Sequence, residues 1–244
     1  MKVAVCLSGF PRVMEFSYPY LKKYILDELN PDIFYFGYED KHTKKEKIQS
    51  IYQPALSTIR EYTPEVREEI WEAYGTREIR NTEIARGIEG LLSQYYNIYN
   101  SNRLKSKFER DNGFVYDMVI RARTDYYFFR KIEDSELPTK PNHVYIPAVW
   151  DFYPGAVSSG FAYGDSAAMD IYSNLFNRVR EYNLSDGFRL HPESIKGYHL
   201  RKNNITRVPV KNHFWWDLKD FAANGNQNSY ISDLTTNPNR RDYQ

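Results

Sequence analysis

Lys2-Val3-Ala4-Val5-Cys6-Leu7 runs straight into Ser8-Gly9, a continuous β-prone segment that stops in a tight turn. That is the pattern of a strand buried on both faces, as in the middle of a parallel sheet. A helical stretch follows, with Tyr20, Leu21, Tyr24, Ile25 and Leu29 recurring at steps of three and four, and then Pro31 and a second apolar run from Ile33 to Phe36. Strand, helix, strand predicts a β-α-β unit and an α/β sheet, whose sites lie at the carboxyl ends of its strands.

Further along, residues 40–80 alternate short apolar pairs with Pro54 and Pro64 and read as irregular, with helical pieces near Pro64 to Ala73. Thr82 is a plausible cap for one long helix through Ile84, Ile88, Leu91, Leu92, Tyr95, Tyr99, Leu104 and Phe108, kinked near Gly87 or Gly90 and stopped at Asn112-Gly113. Met118 to Ala122 predicts another buried strand, which Tyr126-Tyr127-Phe128-Phe129 resume after Asp125. A short strand at Val144 to Pro147, an aromatic loop at Trp150 to Pro154 and an apolar stretch from Ser158 to Tyr163 come next. Asp165 caps a helix that includes Met169, Tyr172, Leu175, Phe176 and Val179. His191-Pro192-Glu193 opens a helix that runs to Asn203-Asn204, and Ile205 to Val210 closes the sheet. Residues 1–223 read as one domain, and 224–244, rich in Asn, Gln, Ser and Thr, as a loosely attached polar tail.

Composition narrows the function classes. With 41% hydrophobic and 27% charged residues in 244, the chain can bury a core without disulfides or a structural metal. Thirty-three Lys and Arg against 32 Asp and Glu give a net charge of +1, which disfavours a nucleic-acid partner held by bulk charge but leaves room for a local basic pocket. The lone Cys6 excludes an internal disulfide and a cysteine-based zinc site, in keeping with a reducing, cytoplasmic setting. No run approaches the length of a membrane span. Aromatic residues reach 16%, with 22 Tyr, and their flat faces with polar handles suit sugars and bases as well as cores.

The chemistry concentrates at two strand ends. Alternation along Tyr116 to Phe129 sends Arg121, Arg123 and Asp125 to one side, where two guanidiniums can neutralise a diphosphate and a carboxylate can hold a divalent metal. The competing reading is an internal Arg–Asp salt bridge. After the first strand, Gly9 lets a ligand approach the backbone beside Ser8, and Arg12 can reach phosphate; an ordinary strand-to-helix turn is the alternative. Neither a G-x-G-x-x-G nor a G-x-x-x-x-G-K-[ST] motif occurs, so the usual dinucleotide and P-loop signatures are absent.

Ser8-Gly9 with Arg12, Asp32-Ile33-Phe34, Tyr96-Asn97-Ile98 with Asn102 and Leu104-Lys105, and Tyr116-Asp117 through Arg121-Ala122-Arg123-Thr124-Asp125 resemble the small GT-A-type glycosyltransferases of large viruses and bacterial surface-polysaccharide clusters. Gly160 to Asp165, Met169-Asp170-Ile171-Tyr172 and His191-Pro192-Glu193 followed by Leu200 extend the resemblance over roughly residues 2 to 210. It implies a single GT-A-like (Rossmann-like) domain with a central mixed, mostly parallel sheet flanked by helices, working in the cytoplasm, that of the host if the protein is viral. It implies a UDP-, dTDP- or GDP-linked sugar donor, a glycan or other hydroxyl acceptor, and manganese or magnesium near Asp125. The family's Asp-x-Asp is here Arg123-Thr124-Asp125, so only Asp125 can ligate, with His213 as the candidate late ligand. Ser8, Gly9, Arg12, Arg121, Arg123 and Asp125 are then the donor-binding set. Inversion needs a carboxylate to take the acceptor proton, whereas retention needs no dedicated base. Asp151 is the first base candidate and Glu193 the second, with capping as the plainer reading of Glu193. Trp150, Tyr153 and Trp215 are candidates for an acceptor platform. A nucleotidyl or phosphoryl transferase on a similar sheet and a non-catalytic carbohydrate-binding protein remain the competing functions.

Overall fold

A computed structural model of the chain describes residues 1–80, 87–148, 155–211 and 214–215. Strand β1 (Val3–Gly9) is the central strand that the opening sequence predicts, and all but its last residue are buried. It pairs in parallel with β2 (Asp32–Tyr38) on one side and β4 (Met118–Arg123) on the other. Beyond β2 lies β3 (Leu56–Arg60), also parallel. Beyond β4, β7 (Phe161–Gly164) runs antiparallel between β4 and β6 (His143–Pro147), and β8 (Thr206–Val210) lies parallel to β6 at the far edge. The order β3-β2-β1-β4-β7-β6-β8 makes one mixed, mostly parallel sheet of seven strands, flanked by helices.

Period-two alternation along the strands gives the sheet two apolar faces, and helices cover both. On one face α1 (Met14–Leu21) passes through a π-helical turn at Lys22–Leu26 into α2 (Asp27–Leu29), and α3 (Lys45–Tyr52) lies beside them. Met14, Leu21, Ile25, Ile48 and Tyr52 pack there against Val3, Val5, Leu7, Ile33 and Ile120. On the other face α4 (Pro64–Tyr74), α5 (Ile88–Asn112), α6 (Ser166–Ser173), α7 (Phe176–Leu184) and α8 (Pro192–Lys202) pack against Ala4, Cys6, Phe34, Val119 and Ala162. Leu7 and Phe34 are wholly buried, each contributing about 1.5–3 kcal/mol through removal from water. Among the described residues no helix is long and apolar enough to cross a membrane.

Four expectations need correction. Residues 40–80 are more regular than expected: α3 and β3 precede α4, which stands where helical pieces near Pro64 were expected, capped by the Thr63 hydroxyl and opened by Pro64. Tyr127 and Phe128 do not resume β4: the chain turns at Thr124-Asp125, and they form β5 (Tyr127–Phe128), paired with β9 (Phe214–Trp215) in a separate two-stranded sheet. The helix capped by Asp165 ends at Ser173, and after Asn174 and Leu175 the chain starts afresh as α7 at Phe176. The long helix begins at Ile88 after Gly87 and has no break at Gly90; Thr82 and Ile84 lie outside the described residues.

Candidate functional site

From β1 the chain steps outward to β2 and β3, then returns to lay β4 on β1's other side. Strand order therefore reverses between β1 and β4, and in open α/β sheets the crevice beyond such a reversal is where ligands sit. A cleft of about 220 Å³ lies there. Ser8, Gly9, Phe10 and Arg12 line it from β1 and the turn that follows, Arg121, Arg123, Thr124 and Asp125 from β4 and its turn, and Gly90, Ser93, Gln94 and Asn97 from α5, with Tyr62 completing the lining.

The turn after β1 has an unusual backbone. Gly9 sits at φ 103, a conformation open to glycine, and Arg12 at φ 49, in the left-handed region that a non-glycine residue enters at a cost. That cost is characteristic of sites where a side chain must be aimed. Gly37 of β2 is required for a different reason: a Cβ there would lie 2.0 Å from the Gly9 carbonyl oxygen, so only glycine lets the two strand ends close. Two side chains hold the end of β4 in place, Thr124 Oγ1 donating to Phe10 O of the β1 turn at 2.8 Å and Ser17 Oγ of α1 donating to Thr124 O.

The charges of the cleft are three guanidiniums against one carboxylate. Arg123 pairs bidentately with Asp125, Nε to Oδ1 at 2.7 Å and one terminal nitrogen to Oδ2 at 2.6 Å. Arg12 donates to the same Oδ2 at 2.6 Å. Burial by itself would raise the Asp125 pKa, but the hydrogen bonds and charges of Arg123 and Arg12 outweigh it and hold the group at about 2, so it is a carboxylate at any ordinary pH. Arg121 is 2% exposed; it donates to the Gly160 carbonyl oxygen, while its Nε has no hydrogen-bond partner. Burial draws its pKa below the ordinary value, with the nearby Tyr172, Tyr126 and Asp125 opposing. The cleft thus carries positive charge in excess, with a buried donor to spare.

The rest of the cleft lining includes aromatic and amide side chains. Phe10 and Tyr62 pack edge to face, ring centroids 5.4 Å apart, and both contact Tyr38. Asn97 donates weakly to Ser93 Oγ at 3.4 Å, and its buried Oδ1 has no partner. Gln94 Nε2 donates to Ser159 Oγ at 2.7 Å.

All six residues of the expected donor-binding set line this one cleft. Asp125 has the geometry of the salt-bridge reading, its oxygens engaged by two arginines rather than facing an open coordination site. Among the described residues no group of three or more His, Cys, Asp or Glu could hold a metal ion. Glu193 is not in the cleft lining: it lies in the first turn of α8, its carboxylate 3.6 Å from His191 Nδ1. Asp151, Trp150, Tyr153 and His213 lie outside the described residues, as does the 224–244 tail. Trp215 is placed by its backbone, opposite Tyr127. Sequence reasoning missed Phe10, Tyr62, Gly90, Ser93, Gln94, Asn97 and Thr124 as lining residues. A signal existed for two of them, since Ser93 and Asn97 are one helical turn apart on α5 and both are buried, where an unpaired amide is costly.

Among solved structures the chain is similar to that described as "crystal structure of mouse Xyloside xylosyltransferase 1, apo form", at 10% identity and a TM-score of 0.46, over 86% of this chain and 84% of that one. A likeness at that level decides nothing about activity. Among curated proteins none matches the chain. A family model described as "Domain of unknown function (DUF7796)" matches residues 1–208, and the chain belongs to that family.

Proposed function

We propose that the chain is a glycosyltransferase that takes a nucleotide-sugar donor in the cleft between the ends of β1 and β4. The observation behind this reading is the convergence of Arg12, Arg121 and Arg123 at the strand-order reversal, one of them buried with an unpaired N–H. A donor's diphosphate matches that charge, and departing nucleoside diphosphate is what needs stabilising when the glycosidic bond breaks. Fixed guanidiniums do this without reorganising, because Asp125 and the turn after β1 already hold Arg12 and Arg123 in place. The ring portion of the nucleoside then rests on Phe10 and Tyr62, and Asn97 Oδ1 accepts from a base N–H or ribose O–H. At about 220 Å³ the cleft is below the roughly 300–1,000 Å³ of a whole ligand pocket, which suits the nucleotide part of a donor with the sugar and acceptor beyond it. The acceptor's base, where one is needed, falls to Asp151 or Glu193, with Trp150, Tyr153 and Trp215 as the acceptor platform.

A panel of nucleotide sugars and nucleoside triphosphates, each incubated with the protein and a hydroxyl acceptor, tests the reading. Release of nucleoside diphosphate from one sugar donor supports it. Pyrophosphate release from a triphosphate would replace it with nucleotidyl transfer, and no release from any donor, with sugar binding intact, would leave a carbohydrate-binding protein.

A further inference from the structure

A carboxylate that serves a divalent cation offers it free oxygen lone pairs, and hard cations such as magnesium are usually met by one or two carboxylates, substrate phosphates and water. Asp125 offers neither oxygen freely. Oδ1 accepts from Arg123 Nε at 2.7 Å, and Oδ2 accepts from both Arg123 and Arg12 at 2.6 Å, in a group that is 6% exposed. A divalent ion at this carboxylate would have to displace two guanidiniums and then sit beside them, with the fixed charge of Arg121 close behind. The arrangement is built into the backbone. Arg12 is held at φ 49, and Thr124, between the two paired residues, is tied on both sides, to Phe10 O through its hydroxyl and to Ser17 Oγ through its carbonyl. Among the described residues Asp125 belongs to no group of three or more His, Cys, Asp or Glu that could hold a metal.

We infer that the cleft binds a diphosphate without a divalent cation, the guanidiniums of Arg12, Arg121 and Arg123 supplying the charge that a metal would supply, and Asp125 orienting two of them. The inference rests on the cleft being the diphosphate site of the proposed donor. It replaces the expected role of Asp125 as a metal ligand with that of a positioning residue, whose carboxylate fixes the two arginines as a fork that matches phosphate oxygens.

Calorimetric titration of the full chain with inorganic pyrophosphate, once in excess EDTA and once with saturating manganese, decides it. The expected result is binding in EDTA with an affinity within threefold of that in manganese. Affinity at least tenfold tighter in manganese overturns the inference but leaves the donor-site reading standing. Absence of binding in both conditions overturns both. In Asp125→Asn, which keeps the side chain's shape, pyrophosphate affinity should change by the same factor with and without manganese; a change confined to the manganese titration would restore Asp125 as a metal ligand. Should that variant not fold, the electron paramagnetic resonance signal of free manganese gives the same decision on the unaltered protein. It stays undiminished on adding the chain if the inference holds, and is lost stoichiometrically if a manganese site exists.

Discussion

Replacing Arg123 with Lys removes a fork and keeps a charge, which separates phosphate recognition from bulk electrostatics. Arg123 already spends two N–H groups on Asp125, Nε and one terminal nitrogen, in parallel bonds of 2.7 and 2.6 Å. A guanidinium has five N–H donors spread over three nitrogens, so it can hold Asp125 on one edge and a phosphate on the other. A lysine ammonium concentrates its donors on one nitrogen and cannot span both partners. The variant therefore loses one charge-assisted hydrogen bond to the diphosphate, worth about 1.5–3 kcal/mol. At 1.4 kcal/mol per decade this is roughly a 10- to 100-fold rise in Kd for uridine diphosphate. Uridine, which lacks the phosphates, should bind the variant as it binds the parent. Calorimetry with both ligands, after a melting curve shows the variant folded, gives the answer. If diphosphate and nucleoside affinities fall together, or neither falls, Arg123 holds the architecture rather than the ligand, and the reasoning from its fork is refuted.

Lys105, wholly buried on α5, donates to Glu109 at 3.0 Å, Ser166 at 2.6 Å and Asp170 at 2.8 Å. Lys105→Met leaves the buried Glu109 without its cation, though Ser166 and the Tyr116 N–H still donate to it, and should cost about 3–5 kcal/mol, or a Tm drop of about 6–20 °C at 2–4 °C per kcal/mol; a drop under about 2 °C would show the network to be dispensable. His199 is buried with Nε2 donating to Ile171 O at 2.7 Å and the Tyr182 hydroxyl 2.9 Å from Nδ1, so its neutral form is fully bonded. Burial, aided by Lys196, lowers its pKa from 6.5 to about 3; the unfolded chain takes up that proton first, and stability should fall by about 1.4 kcal/mol per pH unit from pH 6.5 towards 3. Urea unfolding across that range checks the slope, which should vanish from this source in His199→Gln; an unaltered slope in the variant would assign the loss elsewhere. Gly37→Ala puts a Cβ 2.0 Å from Gly9 O, where about 3.3 Å is the closest comfortable approach, so β1 and β2 must part by about 1.3 Å. A cost of about 1–3 kcal/mol is expected in thermal unfolding, with weaker pyrophosphate binding as the Gly9 wall shifts; an unchanged Tm and affinity would show that the strand ends yield freely.

The sheet was legible because its central strands are apolar without interruption. Val3 to Leu7 reads as a strand buried on both faces, Ile33 to Phe36 as a second apolar run and Met118 to Ala122 as a further buried strand, and all three segments are buried. Strand β3 was hidden because it is an edge strand: Leu56, Ser57 and Thr58 are only half-buried and Ile59 alone is buried, so no alternation stands out. The turn at Thr124-Asp125 was hidden for another reason, since strand propensity runs on through Tyr126 to Phe129 and the deciding bonds, from Thr124 to Phe10 and from Asp125 to Arg12, are made to residues more than a hundred positions away. The same distance explains the site. Alternation along β4 accounts for Arg121 and Arg123, whereas Asp125 meets them through the turn, and nothing local shows that Arg12 completes the ion pair or that α5 lines the cleft through Ser93 and Asn97.

The most direct measurement is a crystal structure of the full chain with whichever of uridine, thymidine or guanosine diphosphate raises its Tm most. The account predicts the phosphates at the ends of β1 and β4, with oxygens about 2.7–2.9 Å from guanidinium nitrogens of Arg12 and Arg123 and the ring against Phe10 and Tyr62. Phosphates seated elsewhere, with the Arg12–Asp125–Arg123 cluster closed and untouched, would contradict it.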